Sequence, residues 1–298
     1  MPALSRFYIK GDKMNKLKLS LSMLIFGTIG IFVKYIPLSS SVIAMTRGYL
    51  GAIVLLVVML VSGKKVDVKG IKINLLKLVF SGAAIGINWI LLFEAYNYTS
   101  VAVATLCYYM QPVLLIILAP LLLKEKLSKK KVFCVPVALL GMVLVSGVLS
   151  SGQRVDIRGI ALGLGAALFY TSVVLVNRTM KEISAYDSTL IQLFMAALVI
   201  TPYNAVVGFG DVSGLDVKAL VMLLIVGIVH TGLTYYLYFS SVKSLPGETV
   251  AIYSYIDPAF AVLLSVFLLG EPMTLSGAAG AVLILGACMA SEIEFKRK

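Results

Sequence analysis

The chain has 298 residues, 60% of them hydrophobic and 13% charged, with 26 Lys and Arg against 14 Asp and Glu for a formal net charge of +12. That composition, with a mean hydropathy of +0.99, lies far from soluble averages and excludes a soluble globular domain. Cys107, Cys134 and Cys288 all fall in apolar runs without C-x-x-C spacing, so neither a disulfide framework, a metal site nor a cofactor is expected.

Apolar runs near the bilayer-crossing length of about 20 residues occur at 18–36, 42–62, 75–96, 101–123, 132–149, 159–177, 186–208, 217–242, 249–269 and 276–291, ten in all. They are rich in Gly, Leu, Ala and Val and lack strict alternation, so they read as helices, which satisfy their own backbone in lipid. The expected fold is all-α, with ten transmembrane helices. The basic segment 1–17 ahead of the first run imitates a signal peptide, but Ile31-Phe-Val-Lys-Tyr-Ile-Pro37 offers no small-residue cleavage site. A retained first helix with Lys34 as an interfacial anchor is expected.

The second run carries Arg47, and the third carries Asn88, Trp89 and Glu94. Arg47 and Glu94 sit near the outer ends of their helices, where they can pair with one another. Alternatively, Arg47 receives a substrate carboxylate at an outer vestibule. The fourth run holds Tyr108, Gln111 and Pro112, the eighth His230, Thr234 and Tyr235, and the ninth Tyr253, Asp257 and Pro258. Gly82/Gly86 and Gly159/Gly163 are small-xxx-small pairs that let helices approach closely, which permits a homodimer without showing one.

Basic residues concentrate in alternate connections, including 64–72, 124–131, 178–181 and 296–298, whereas the opposite connections hold only Arg154, Arg158 and Lys218. This is the positive-inside pattern. It explains the basic charge without nucleic acid and predicts a multi-pass plasma-membrane protein with both termini, 1–17 and 292–298, in the cytoplasm. The run Lys124–Lys131 also suits anionic lipid headgroups.

The stretch Gly86 to Glu125 returns without a gap, shifted by 146 positions, as Gly232 to Glu271. The copies share Leu91/Leu237, Phe93/Phe239, Tyr109/Tyr255, Pro112/Pro258, Leu118/Leu264 and Leu122-Leu123/Leu268-Leu269. Two related halves are expected at 18–149 and 159–291, joined by an outer linker at 150–158. Five helices per half is an odd number, so the second half enters the membrane from the opposite side and the repeat is inverted.

A proline within an apolar helix that ends in Leu-Leu-x-Glu, followed by a Gly-rich helix, occurs as Pro112…Leu122-Leu123-Lys124-Glu125…Gly141 and as Pro258…Leu268-Leu269-Gly270-Glu271…Gly277…Gly280…Gly286. Phe26-Gly27, Met45-Thr46-Arg47-Gly48-Tyr49 and Phe169-Tyr170 extend the likeness to the opening helices. The whole chain thus resembles the EamA-type members of the drug/metabolite transporter superfamily. Lys124 stands where the first copy usually has a small residue. The resemblance implies a ten-helix carrier or exporter of amino acids, sugars or other small metabolites, and no single substrate.

Polar residues stranded in apolar runs are costly in lipid and mark candidate solute paths. Asp257, directly before Pro258, is the leading substrate or proton site, with Tyr253 one helical turn earlier. Gln111 with Tyr108 is its counterpart in the first half. His230 is a second candidate proton carrier or an interhelical hydrogen-bonding group. Asn88 and Thr234, equivalent by the repeat, are expected to line a shared cavity walled by Trp89 and Tyr235. Pro112 and Pro258 are read as kinks for packing or gating, and Glu125 and Glu271 as helix-end caps.

An intramembrane aspartyl protease would use Gly208-Phe-Gly-Asp211 with Tyr186-Asp187, but those aspartates bracket one helix, roughly 36 Å apart. No H-E-x-x-H or G-x-S-x-G context occurs. The expectation is therefore a non-enzymatic, alternating-access exporter of small metabolites, chiefly amino acids or related compounds. A facilitative carrier or channel for sugars, nucleosides or other small solutes is the alternative.

Overall fold

Uninterrupted apolar sequence punctuated by Ser and Asp at helix starts produces the architecture. The computed structural model describes residues 2–33, 35–63, 65–99, 101–124, 126, 128–145, 156–210, 214–269 and 275–292. Lys34, Glu125, Asp211, Glu271, most of the linker 150–158 and the terminal segment beyond Glu292 lie outside them.

The helices are α1 (Pro2–Val33), α2 (Ser40–Val61), α3 (Val68–Tyr98), α4 (Val101–Tyr108), α5 (Gln111–Leu123), α6 (Lys129–Val145), α7 (Ile157–Thr179), α8 (Ala185–Val207), α9 (Val217–Ile225), a π-helical segment (Val226–Leu233), α10 (Thr234–Val242), α11 (Gly247–Tyr253), α12 (Ile256–Leu269) and α13 (Leu275–Glu292). Side chains of Asp67 and Asp216 cap α3 and α9 by accepting from Gly70 N at 2.9 Å and Ala219 N at 2.7 Å. Among the described residues, seven helical stretches are long and apolar enough to cross a membrane, and Val132–Leu144 and Leu275–Ala287 are shorter apolar helices. Leu76, Leu121 and Leu275 are 85%, 72% and 92% exposed, as lipid-facing side chains should be.

Three spans depart from the simple reading. The fourth breaks at Tyr109–Met110 between α4 and α5, and the ninth breaks at Ser254–Tyr255 between α11 and α12. Pro112 and Pro258 therefore do not kink continuous helices. They sit in the first turn of a new helix, where the missing N–H has no intrahelical acceptor to lose. In the eighth span, α9 passes into α10 through the π segment, where Thr231 and Thr234 donate to the carbonyls five residues back, Val226 O at 2.9 Å and Val229 O at 2.7 Å. α1 also runs back through the basic segment that the sequence alone marks only as an N-terminal extension.

The contacts obey an inverted two-fold. α3 packs on α7 as the eighth span packs on α1, and α3 packs on α8 as the eighth span packs on α2. α4 and α5 meet α7 as α12 meets α1, while α2·α8, α5·α11 and α6·α13 pair each span with its own counterpart. Glycines set the closeness. A Cβ on Gly82 would lie 2.5 Å from Met195 Cβ, one on Gly227 2.6 Å from Leu50 Cβ, and one on Gly141 2.7 Å from Gly280 O.

The third and eighth spans bury equivalent positions, but with a slip. Leu78 and Gly82 match Leu223 and Gly227 at a shift of 145, whereas Asn88 and Trp89 match Thr234 and Tyr235 at 146. The eighth span holds one extra residue, and the π segment absorbs it.

Candidate functional site

The two helix breaks face each other across the centre of the bundle, where the Tyr255 hydroxyl donates to Tyr109 O at 3.3 Å. Against them lies a cavity of about 490 Å³, walled by α1, α2, α3, the breaks, α7 and α10. Its lining reaches the end of α1 and the start of α2, at Val33 and Ser40. Next to it Tyr238 and Phe239 are fully buried, and the Tyr238 ring stacks on the lining residue Tyr170 at 6.1 Å. Away from the lining, Ser128 N donates to Glu248 Oε2 at 2.8 Å and Lys243 Nζ donates to Ile183 O at 3.0 Å. Burial holds the Lys243 ammonium below the ordinary lysine value, opposed by the nearby Asp187 carboxylate. Among the described residues, the lining therefore reaches that end of α1 and α2 and includes neither Lys243 nor Glu248.

Of the residues singled out from sequence, Arg47, Trp89, Tyr108, Gln111, Tyr235 and Asp257 come together on this lining. Gln111 and Asp257 occupy the first turns of α5 and α12, equivalent places in the two halves. The Asp257 carboxyl group interacts with the Tyr109 hydroxyl. The Arg47 guanidinium lies over the Trp89 ring, 4.1 Å from its centroid, and Trp89 meets Tyr235 edge to face at 6.1 Å.

The remaining expectations fall elsewhere. Glu94 does not pair with Arg47: it accepts from the Tyr203 hydroxyl and from Asn97 Nδ2 at 3.2 Å. Five residues on from Trp89 is roughly 140° around a helix, which turns Glu94 from the cavity toward α8. Asn88 donates to Ala166 O at 2.6 Å, fastening α3 to α7, and Thr234 bonds within its own span. His230 lies in a separate hollow with Leu24 and Phe260, bonded to Thr28 Oγ1 at 2.7 Å and 4.8 Å from the Phe32 ring. Tyr253 packs on the hydrophobic core, and Ser254 takes the place on the lining. The expectation for Tyr253 assumed an unbroken helix, and the break at Ser254–Tyr255 removes that register.

Tyr109, Tyr170 and Phe26 also line the cavity without being singled out as site residues. The doubled Tyr108-Tyr109 ahead of Gln111-Pro112 was a usable signal. Tyr170 carried none, because one tyrosine on an apolar helix reads as packing. Among the described residues no group of His, Cys, Asp and Glu is placed to hold a metal ion. Asp187 lies in the first turn of α8, accepting from Ser184 Oγ at 2.7 Å, at the opposite end of that helix from Gly208; Asp211 lies outside the described residues.

The model of the EamA-like transporter family matches residues 17–147 and again 157–291. The uncharacterized transporter YxxF of Bacillus subtilis (strain 168) is 30% identical over 270 residues, covering 90% of this chain and 86% of that protein. An uncharacterized transporter of Clostridium kluyveri is 27% identical over 253 residues, 79% of this chain and 78% of its own. A solved crystal structure shares the fold with a TM-score of 0.82 at 16% identity, over 93% of this chain and 97% of that one.

Proposed function

The chain belongs to the EamA-like transporter family, and from that premise we propose that it is a secondary carrier that exports small organic metabolites, chiefly amino acids or related compounds, by alternating access. The observation that carries this reading is the cavity between the two halves, lined by residues at both helix breaks. Discontinuous helices at the midplane of an inverted repeat are the usual solute site of such carriers, and rocking of the halves opens the site to one side and then the other. The asymmetry of basic residues supports a plasma-membrane orientation with both termini in the cytoplasm and the Val33 and Ser40 end of the lining outside.

Asp257 is the group proposed to couple transport to a proton gradient, because it is the carboxyl group on the cavity lining and a proton can neutralise it there at little cost in low dielectric. The test is counterflow in proteoliposomes loaded with a mixed pool of amino acids and small organic metabolites, followed by mass spectrometry. Selective exchange is expected. With a pH gradient imposed, Asp257→Asn should still exchange solute but lose gradient-driven accumulation. Full accumulation in that variant would refute proton coupling at Asp257, and no exchange of any solute would refute the carrier.

A further inference from the structure

Among the described residues, two buried hydrogen-bond donors of lining residues have no acceptor: Arg47 Nε and Gln111 Nε2. Gln111 is 2% exposed, so an unpaired amide there is costly. Arg47 carries a full positive charge whose sequence-expected partner, Glu94, is occupied by Tyr203 and Asn97. It makes no ion pair with Asp257 across the cavity either. The guanidinium is held in place by Trp89 beneath it, with Tyr108 and Tyr235 near enough to act on its charge. Gln111 also opens α5, at the positive end of that helix dipole.

An oriented cation, an orphan amide donor and a helix N-terminus on the lining of one cavity are complementary to an anionic group with planar, multiple acceptors. We propose that Arg47 and Gln111 form the subsite for a single carboxylate of the transported solute. This rests on the carrier reading above and narrows its substrate class. Among the described residues the lining holds one cation, Arg47, which matches one carboxylate rather than a phosphate dianion or a dicarboxylate. The walls offered by Phe26, Trp89 and Tyr235 suit an apolar remainder. The solute is thus a monocarboxylate, and when it also carries an ammonium, Asp257 is the group of opposite sign in the same space.

The experiment compares each amino acid that exchanges in counterflow with its own carboxamide, which keeps size and amine but loses the charge. The native protein is expected to prefer the acid by tenfold or more. In Arg47→Gln and in Gln111→Glu the ratio of acid to amide should fall to about one or invert, with folding checked by size-exclusion elution. Equal exchange of acid and amide by the native protein, or an unchanged ratio in Arg47→Gln, overturns the proposal while leaving the carrier intact.

Binding is read independently, because Trp89 is the chain's one tryptophan and lies under Arg47. Titration with pyruvate and with benzoate should change its emission in the native protein and not in Arg47→Gln, whereas benzamide should be silent. If no amino acid exchanges, the export reading fails, and this titration still decides the subsite. A response to inorganic phosphate alone, or to no carboxylate, overturns it.

Discussion

Replacing Gly82 by alanine adds one methyl group at a point where α3 and α8 have no room for it. The new Cβ would stand 2.5 Å from Met195 Cβ and 2.8 Å from Gln192 O, whereas carbon atoms rest about 3.5–4.0 Å apart. The two backbones must therefore separate by roughly an ångström along this contact. Overpacking of this kind costs about 1–3 kcal/mol. Gln192 adds to it, because its amide exchanges hydrogen bonds with Asn177 at 2.8 and 3.0 Å and must move with α8. Interhelical bonds in membranes average about 0.6 kcal/mol, and the gain in helix propensity from Gly to Ala, about 0.5–1 kcal/mol, offsets that part. A net destabilisation of about 2 kcal/mol, roughly thirtyfold in the folded-to-unfolded ratio, is expected. The assay is equilibrium unfolding in mixed micelles titrated with a denaturing detergent, with Gly286→Ala as control because its Cβ would meet nothing within 4 Å. Gly82→Ala unfolding alongside Gly286→Ala would refute the close-packing argument.

Asn88→Ala should lower stability by about 0.6–1.7 kcal/mol and leave the KM of exchange unchanged, because Asn88 ties α3 to Ala166 rather than facing the cavity; kinetics of exchange against solute concentration decide. His230→Gln, which keeps a bond to Thr28 within reach, should leave the pH profile of transport unmoved across the histidine range of about pH 5–8, and a displaced profile would return His230 to the proton path. Tyr255→Phe removes the bond joining the two helix breaks, worth about 1 kcal/mol, so a change of about fivefold in exchange rate is expected in single-time-point counterflow. Deleting Ile228, a 37% exposed residue, restores between Gly227 and Gly232 the four-residue spacing of Gly82 and Gly86. The protein should still fold, with the π segment reverting to α, whereas deleting Ala84 from α3 should abolish folding; comparable yields of monodisperse protein from both deletions would contradict this.

The spans were legible because bilayer thickness imposes one length and one composition on every helix, and the duplication Gly86–Glu125/Gly232–Glu271 marked the breaks through Pro112 and Pro258. Residues beside the breaks, Gln111 and Asp257, reached the cavity for that reason. Polarity alone misled for Asn88, Thr234 and His230: it shows that a group needs a partner in lipid, not which helix face supplies one. Arg47 and Glu94 are the converse case. Opposite charges at similar depth suggested a pair, but their angular positions on two helices decide the matter, and Tyr203 supplies a nearer partner for Glu94. The π segment left a trace in the unequal spacing of Gly82/Gly86 and Gly227/Gly232, which becomes readable only once both glycine pairs are known to pack on equivalent helices.

Among the described residues, none of α6 or α13 lines the cavity, yet these last spans of the two halves grip one another through Gly141, Gly280 and Ile284. In the proposed carrier they act as a clamp beside the parts that rock. Stiffening or loosening the Gly141 contact is then expected to alter how often the carrier cycles, measured as exchange rate, while the ranking among competing solutes stays as it was.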